Sequence, residues 1–178
     1  MTAAPGSADQ PDFLYFGYGS NLDVERLHEN CPSATLVLTA RLADHRLAFT
    51  RNSEVRWHGG VADILPEPRS EVWGAVWAID GEHSHALDRQ EGLFSTPPGY
   101  ERYSVTVTSA DGEPIGCRSY RVAAPDRRGF APSPAYKGTL VRGARALALP
   151  AHYITALEAI EDNGWRRPSQ GGAPEGAT

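Results

Sequence analysis

The stretch Glu71–Ile79, "EVWGAVWAI", is apolar at odd and even positions alike. Successive side chains of a strand point to opposite faces, so such a strand has to be buried on both of them. The other candidate strands are short: Phe13–Phe16, Thr35–Ala40, Arg46–Thr50 and the cleanly alternating Tyr103–Thr108. After the last of these, "ADGE" supplies an Asp-Gly turn, and Ile115–Val122 returns as the hairpin partner. Helical patterns are fewer. Ser20 or Asn21 is placed to cap a short helix over Leu22–Glu29, and a second helix over Glu82–Glu91 stops at Gly92. A last helix starts near Pro150, carries Ile154, Leu157 and Ile160 at helical spacing, and stops at Asn163-Gly164. Many strands and scattered helices, without strand–helix–strand alternation, predict an α+β fold with a mixed or barrel-like sheet.

A length of 178 residues suits one domain. Residues 1–12 and 166–178 are rich in Gly, Pro and Ala and read as disordered tails, which leaves a single domain over 13–165. The net charge of -5 argues against nucleic acid as a partner, because that needs clustered Lys and Arg against phosphates. No apolar run approaches the roughly 20 residues of a membrane span, and the N-terminus has no secretory pattern. Cys31 and Cys117 form no CxxC pair. A reduced, cytoplasmic setting and burial of both thiols as small hydrophobes are the expectation.

Between the first strand and the first helix lies Tyr15–Asn21, "YFGYGSN". Its Gly17-x-Gly19 resembles part of a dinucleotide fingerprint, but the third glycine position is Leu22, and no Gly-Lys-Ser/Thr follows. Consecutive N–H groups near a helix start can also hold a carboxylate or a developing oxyanion. A tight turn with Ser20 or Asn21 as helix cap is an equally good reading of the loop alone.

Further on, His85–Tyr103 contains Asp88, Glu91 and Glu101. Glu91 shares a helix face with Leu87, which turns it inward if Leu87 is core, whereas Asp88 then faces solvent. Burial and the C-terminal end of a helix dipole both raise a carboxyl pKa toward the range of a general base. An exposed Glu beside a capping glycine fits the same residues. Asp88 and Glu101 read as surface or structural. His83 and His85, two apart on a helix, point in different directions and make no metal pair. His58 reads as a structural histidine before a Gly-Gly turn. Trp73 and Trp77 read as core.

In one order along the chain stand "FLYFGYGSNL" (13–22), "WHGG" (57–60), "EVWGAVW" (71–77), "LDRQEG" (87–92), "CRSY" (117–120) and "PSPAYK" (132–137). Together these segments resemble the cytosolic γ-glutamylcyclotransferase family of the glutathione cycle, from about Phe13 to about Asn163. The resemblance implies a small barrel-like mixed sheet flanked by helices, with a cavity between the loop and Glu91. It implies an enzyme that cyclises γ-glutamyl amino acids to 5-oxoproline and free amino acid, without metal or organic cofactor. By the same resemblance Glu91 is the catalytic residue. Tyr15, Phe16, Gly17, Tyr18, Gly19, Ser20 and Tyr136 bind substrate, and Gly17 stands where the family usually has Ala. A homodimer is implied too. Two rival readings keep the fold: a cyclotransferase for γ-glutamylamines or γ-glutamyl-ε-lysine, and a non-catalytic small-molecule-binding module.

Overall fold

The structure is a computed structural model that describes residues 12–168. Residues 1–11 and 169–178, which hold most of both predicted tails, lie outside the described residues. Strands β1 (Phe13–Gly17), β2 (Thr35–Ser53), β3 (Gly59–Ile79), β4 (Tyr100–Thr108) and β5 (Pro114–Val122) close into a barrel in the order β1-β3-β2-β4-β5. β1 runs antiparallel to β3 and parallel to β5, so the sheet is mixed, as the scatter of strands and helices predicts. Helices α1 (Val24–His28), α2 (Ser84–Gln90), α3 (Pro134–Ala146) and α4 (Ala151–Glu158) flank it. No described helix is long and apolar enough to cross a membrane.

The two-sided strand organises both layers. Val72 and Val76 of β3 join Phe16, Leu42, Val105 and Val107 inside the barrel. Ala75, Trp77 and Ile79, one residue out of phase, pack outside it with Leu27, Cys31, Leu87 and Tyr120. Trp73 is partly buried against the α3–α4 cluster. Cys31 and Cys117 are buried free thiols, and burial pushes each up to about 11.

Several elements differ from the sequence reading. The two predicted strands at 35–40 and 46–50 are one strand, β2, whose register slips between Ala43 and His45. Asp44 there has φ 54 and accepts from Arg69 N at 2.9 Å. Such bulges bend and twist a strand, which lets a 19-residue β2 and a 21-residue β3 curl into a barrel. β3 begins twelve residues earlier than predicted, at Gly59 rather than Glu71. The segment "GGVADILPEPRS" hides a strand because Pro66 and Pro68 lie at the bulge, where no ladder donor is needed. α3 was not predicted at all. Its Gly143 lowers helix propensity but is required by packing, since a Cβ would lie 2.6 Å from the Leu22 carbonyl carbon. Finally, Asp23 caps α1, accepting from Glu25 N at 3.1 Å, so neither Ser20 nor Asn21 does.

Gly74 is where β3 passes the end of β1. A Cβ there would sit 2.5 Å from the Gly17 carbonyl and 2.7 Å from the Phe16 ring. Gly74→Ala should therefore cost about 3 kcal/mol or more, because backbone cannot yield as a side chain can. Gly116→Ala, with open space around the new methyl, should be near neutral. Thermal denaturation of the two variants checks the contrast.

Candidate active site

β1 delivers its side chains alternately to the two layers. The Phe16 ring goes into the barrel core, while Tyr15 goes to the outer layer, edge-on to Tyr120 at 5.9 Å. Beyond Gly17 the chain turns through Tyr18 and Gly19 into a single 3-10 turn over Ser20–Leu22. A Cβ at Gly19 would lie 3.3 Å from the Tyr136 hydroxyl, so the glycine lets the loop approach that side chain. At Gly17 a Cβ would meet the Asn21 carbonyl, Trp77 Nε1 and Tyr15 Cε1, each at 3.3 Å. The absence of a Cβ at Gly17 therefore spares the loop a tight contact.

Opposite the loop, α2 ends at Glu91. Its N–H donates to the Leu87 carbonyl at 3.0 Å, and Gly92 follows with φ 71, a residue suited to stop a helix. Leu87 is fully buried, so its face carries Glu91 inward. The Asn21 side-chain amide donates to Glu91 Oε1 at 3.1 Å and to the Tyr15 hydroxyl at 2.9 Å. Gln90 Nε2 donates to Glu91 Oε1 at 3.3 Å and to Asn21 Oδ1 at 2.9 Å, while Gln90 Oε1 accepts from Asn30 Nδ2 at 2.8 Å. Burial pushes the Glu91 carboxyl up to about 7, against the opposing pull of Arg26, Gln90, Asn21 and Arg51.

Glu91 lies where two cavities meet. An inner one of about 40 Å³ is walled by Tyr15, Tyr18, Gly19, Ser20, Tyr100 and Tyr136, among others. An outer one of about 120 Å³ shares Ser20, Tyr100, Tyr136 and Glu91 with it and opens toward arginines. Tyr136 arrives from the first turn of α3, where Ser133 caps the helix by accepting from Tyr136 N at 3.2 Å. Its hydroxyl accepts from Ala62 N at 2.9 Å, while Tyr100 donates to the Ala62 carbonyl at 2.6 Å. Burial holds the hydroxyls of Tyr15, Tyr18, Tyr100 and Tyr136 well above their ordinary range, so they stay neutral. Thus Tyr15, Tyr18, Gly19, Ser20, Tyr136 and Glu91 come together, whereas Phe16 and Gly17 support the loop from behind the wall.

Some residues take parts that periodicity missed. Asp88 does not face solvent: it is 4% exposed, bonded by Arg102 and by the Tyr120 hydroxyl at 2.8 Å. Burial opposes its charge, but those donors outweigh it and hold its carboxyl below the ordinary range. Asp63, wholly buried, accepts from Thr50, Ile64 N and Val122 N, and so fixes the strand next to Ala62. A lone Asp inside an apolar segment was the available signal for it. Glu101 pairs with Arg121 on the surface, as expected. His58 stacks on Trp165 at 3.8 Å, His83 meets Ser33 at 2.8 Å, and His85 stacks on Phe94 at 4.8 Å. No set of three metal-ligating side chains is found among the described residues.

The model of the AIG2-like family matches residues 71–157. A gamma-glutamylcyclotransferase of Bos taurus is 42% identical over 164 residues, covering 90% of this chain and 85% of its own length. The Homo sapiens gamma-glutamylcyclotransferase is 41% identical, covering 87% and 82%. A solved gamma-glutamyl cyclotransferase structure superposes with a TM-score of 0.82 at 38% identity, over 92% of this chain and 94% of that one.

The raised carboxyl also affects the fold. Between pH 4.5, its ordinary value, and about 7, folded Glu91 keeps a proton that the unfolded chain has lost. Its stabilising contribution is complete below that window and is lost as pH rises through it. Glu91→Gln does not titrate, so relative to the parent it should gain about 3 kcal/mol on going from acid to alkaline conditions. Urea melts of both proteins at pH 5 and pH 8 measure this; an equal difference at the two pH values would mean that the carboxyl is not raised.

Proposed function

The chain belongs to the γ-glutamylcyclotransferase family and has that family's enzymatic activity; we propose that it converts γ-glutamyl amino acids to 5-oxoproline and the free amino acid, with Glu91 as the acid–base group. The observation that supports this reading is a carboxyl held at about 7, at the junction of two cavities, by two side-chain amides. The γ-glutamyl part reaches into the inner cavity, which at about 40 Å³ holds only one end of it, and extends across the junction beside Glu91. Its α-nitrogen attacks the γ-carbonyl carbon, the ring C–N bond forms, and the C–N bond to the leaving amino acid breaks.

Proton balance sets what the protein must supply. The substrate enters as an ammonium and the lactam keeps one proton, so two protons end on the departing nitrogen. A carboxyl that titrates near neutrality is able both to take and to return a proton at these steps. The transient oxyanion is stabilised by N–H groups of the 17–20 loop, where the first donors of a helical turn have no partner within that turn. The tyrosines fold the substrate so that its nitrogen and carbonyl meet. The nucleophile belongs to the substrate, so no Ser or Cys of the protein is needed.

Release of 5-oxoproline from γ-glutamyl-alanine is the assay. Glu91→Gln keeps the shape and removes the base, and should lower kcat by roughly 10²- to 10⁴-fold. In the parent, kcat/KM should rise with pH through about 7 as Glu91 ionises. Undiminished turnover by the Gln variant would exclude Glu91 as the base.

A further inference from the structure

The outer cavity carries a charge pattern that the chemistry at Glu91 does not use. Arg26, Arg51 and Arg56 all line it, together with Ser53 and Trp57. Glu29 Oε2 accepts from Arg26 Nη1 at 2.7 Å and from Arg56 at 3.2 Å, so one carboxylate is shared between two guanidiniums. The Arg26 side chain is 10% exposed, and its buried Nε has no partner. Arg51, set beside the Tyr100 ring with its guanidinium carbon 6.0 Å from the centroid, makes no ion pair among the described residues. Arg26 and Arg51 are both close enough to Glu91 to favour its charged form. Three cations therefore face Glu91 and one shared Glu29 carboxylate, which leaves the cleft short of negative charge.

The inner cavity, by contrast, is walled by neutral groups apart from Glu91. A substrate whose reacting carbonyl lies at Glu91, with its γ-glutamyl part directed toward the inner cavity, extends its other end into the outer one. In a γ-glutamyl α-amino acid, that end carries a carboxylate on the carbon bonded to the departing nitrogen. We propose that the outer cleft is the leaving-group subsite and that Arg51 binds this carboxylate, with Arg26, whose Nε lacks a partner, also lining the cleft. The proposal rests on the γ-glutamyl reading given above and makes it more specific. The favoured substrates are γ-glutamyl α-amino acids; γ-glutamylamines lack the carboxylate, and γ-glutamyl-ε-lysine holds it farther away along the lysine chain.

The test compares γ-glutamyl-alanine with γ-glutamyl-ethylamide, which differs only by the missing carboxylate, using the intact protein and its Arg51→Gln and Arg51→Lys variants. A charge-assisted contact of this kind predicts that the parent prefers the alanine substrate by roughly 10- to 100-fold in kcat/KM. Arg51→Gln should lose most of that preference, chiefly through KM, and fall far less on the ethylamide. Arg51→Lys should keep part of it, since charge survives but the planar fork does not. An equal loss on both substrates, or a pH profile displaced equally on both, would assign Arg51 to the γ-glutamyl half or to Glu91 and overturn the proposal. A parent that does not discriminate overturns it as well. Failure of the parent to turn over either substrate would bring down the γ-glutamyl reading itself, a result distinct from the others.

Discussion

β3 is the strand on which the rest of the molecule depends, because it must be covered on both faces. It pairs with β1 on one side and β2 on the other, and its two sets of side chains belong to two different cores. The barrel satisfies one set and the helix-backed outer layer satisfies the other. α2 packs into that outer layer through Leu87, so the demand that buries Trp77 also brings the end of α2 to the barrel mouth. The glycine loop arrives at the same mouth because β1 lies beside β3. The site is thus where two cores meet, with neutral tyrosines on one side and arginines on the other.

Glu91 shows how burial and hydrogen bonding divide the work. Burial alone would leave a protonated acid, and full solvation would leave an ordinary carboxylate. Amides from Asn21 and Gln90, with cations at a little distance, bring the balance near neutrality, where proton transfer in both directions is accessible. Asn21 has a second role: by also donating to Tyr15, it ties the loop to the acid with one side chain. Asp88, three residues earlier, follows the opposite logic. Direct contact with Arg102 keeps it charged although it is buried, and it holds Tyr120 in place rather than exchanging protons with a substrate.

Much of this was legible in the chain. The two-sided apolar run, the Asp-Gly hairpin and the stop at Gly92 are local signals, and each corresponds to an element of the structure. The misreadings came where a residue answers to a distant partner instead of its neighbours. Gly60 and Gly143 look like breaks in regular structure, yet each admits backbone from elsewhere. Ser20 and Asn21 have the chemistry of helix caps, but Asp23 takes that place and Asn21 turns inward. Asp88 was set toward solvent by helix phase, and a cation from β4 reversed that.

Sequence by itself determined the fold class and the strand that must be enclosed, because these rest on side-chain period and local turn chemistry; only the resemblance between motifs linked the glycine loop to Glu91. Only the tertiary structure decided which groups surround the glutamate. Asn21 and Glu91 are 70 residues apart, and Arg51 lies just past the strand read over Arg46–Thr50, on the longer β2 of the structure. A pKa, a cavity and a charge pattern are sums over neighbours in space, and those neighbours exist only once the barrel has closed.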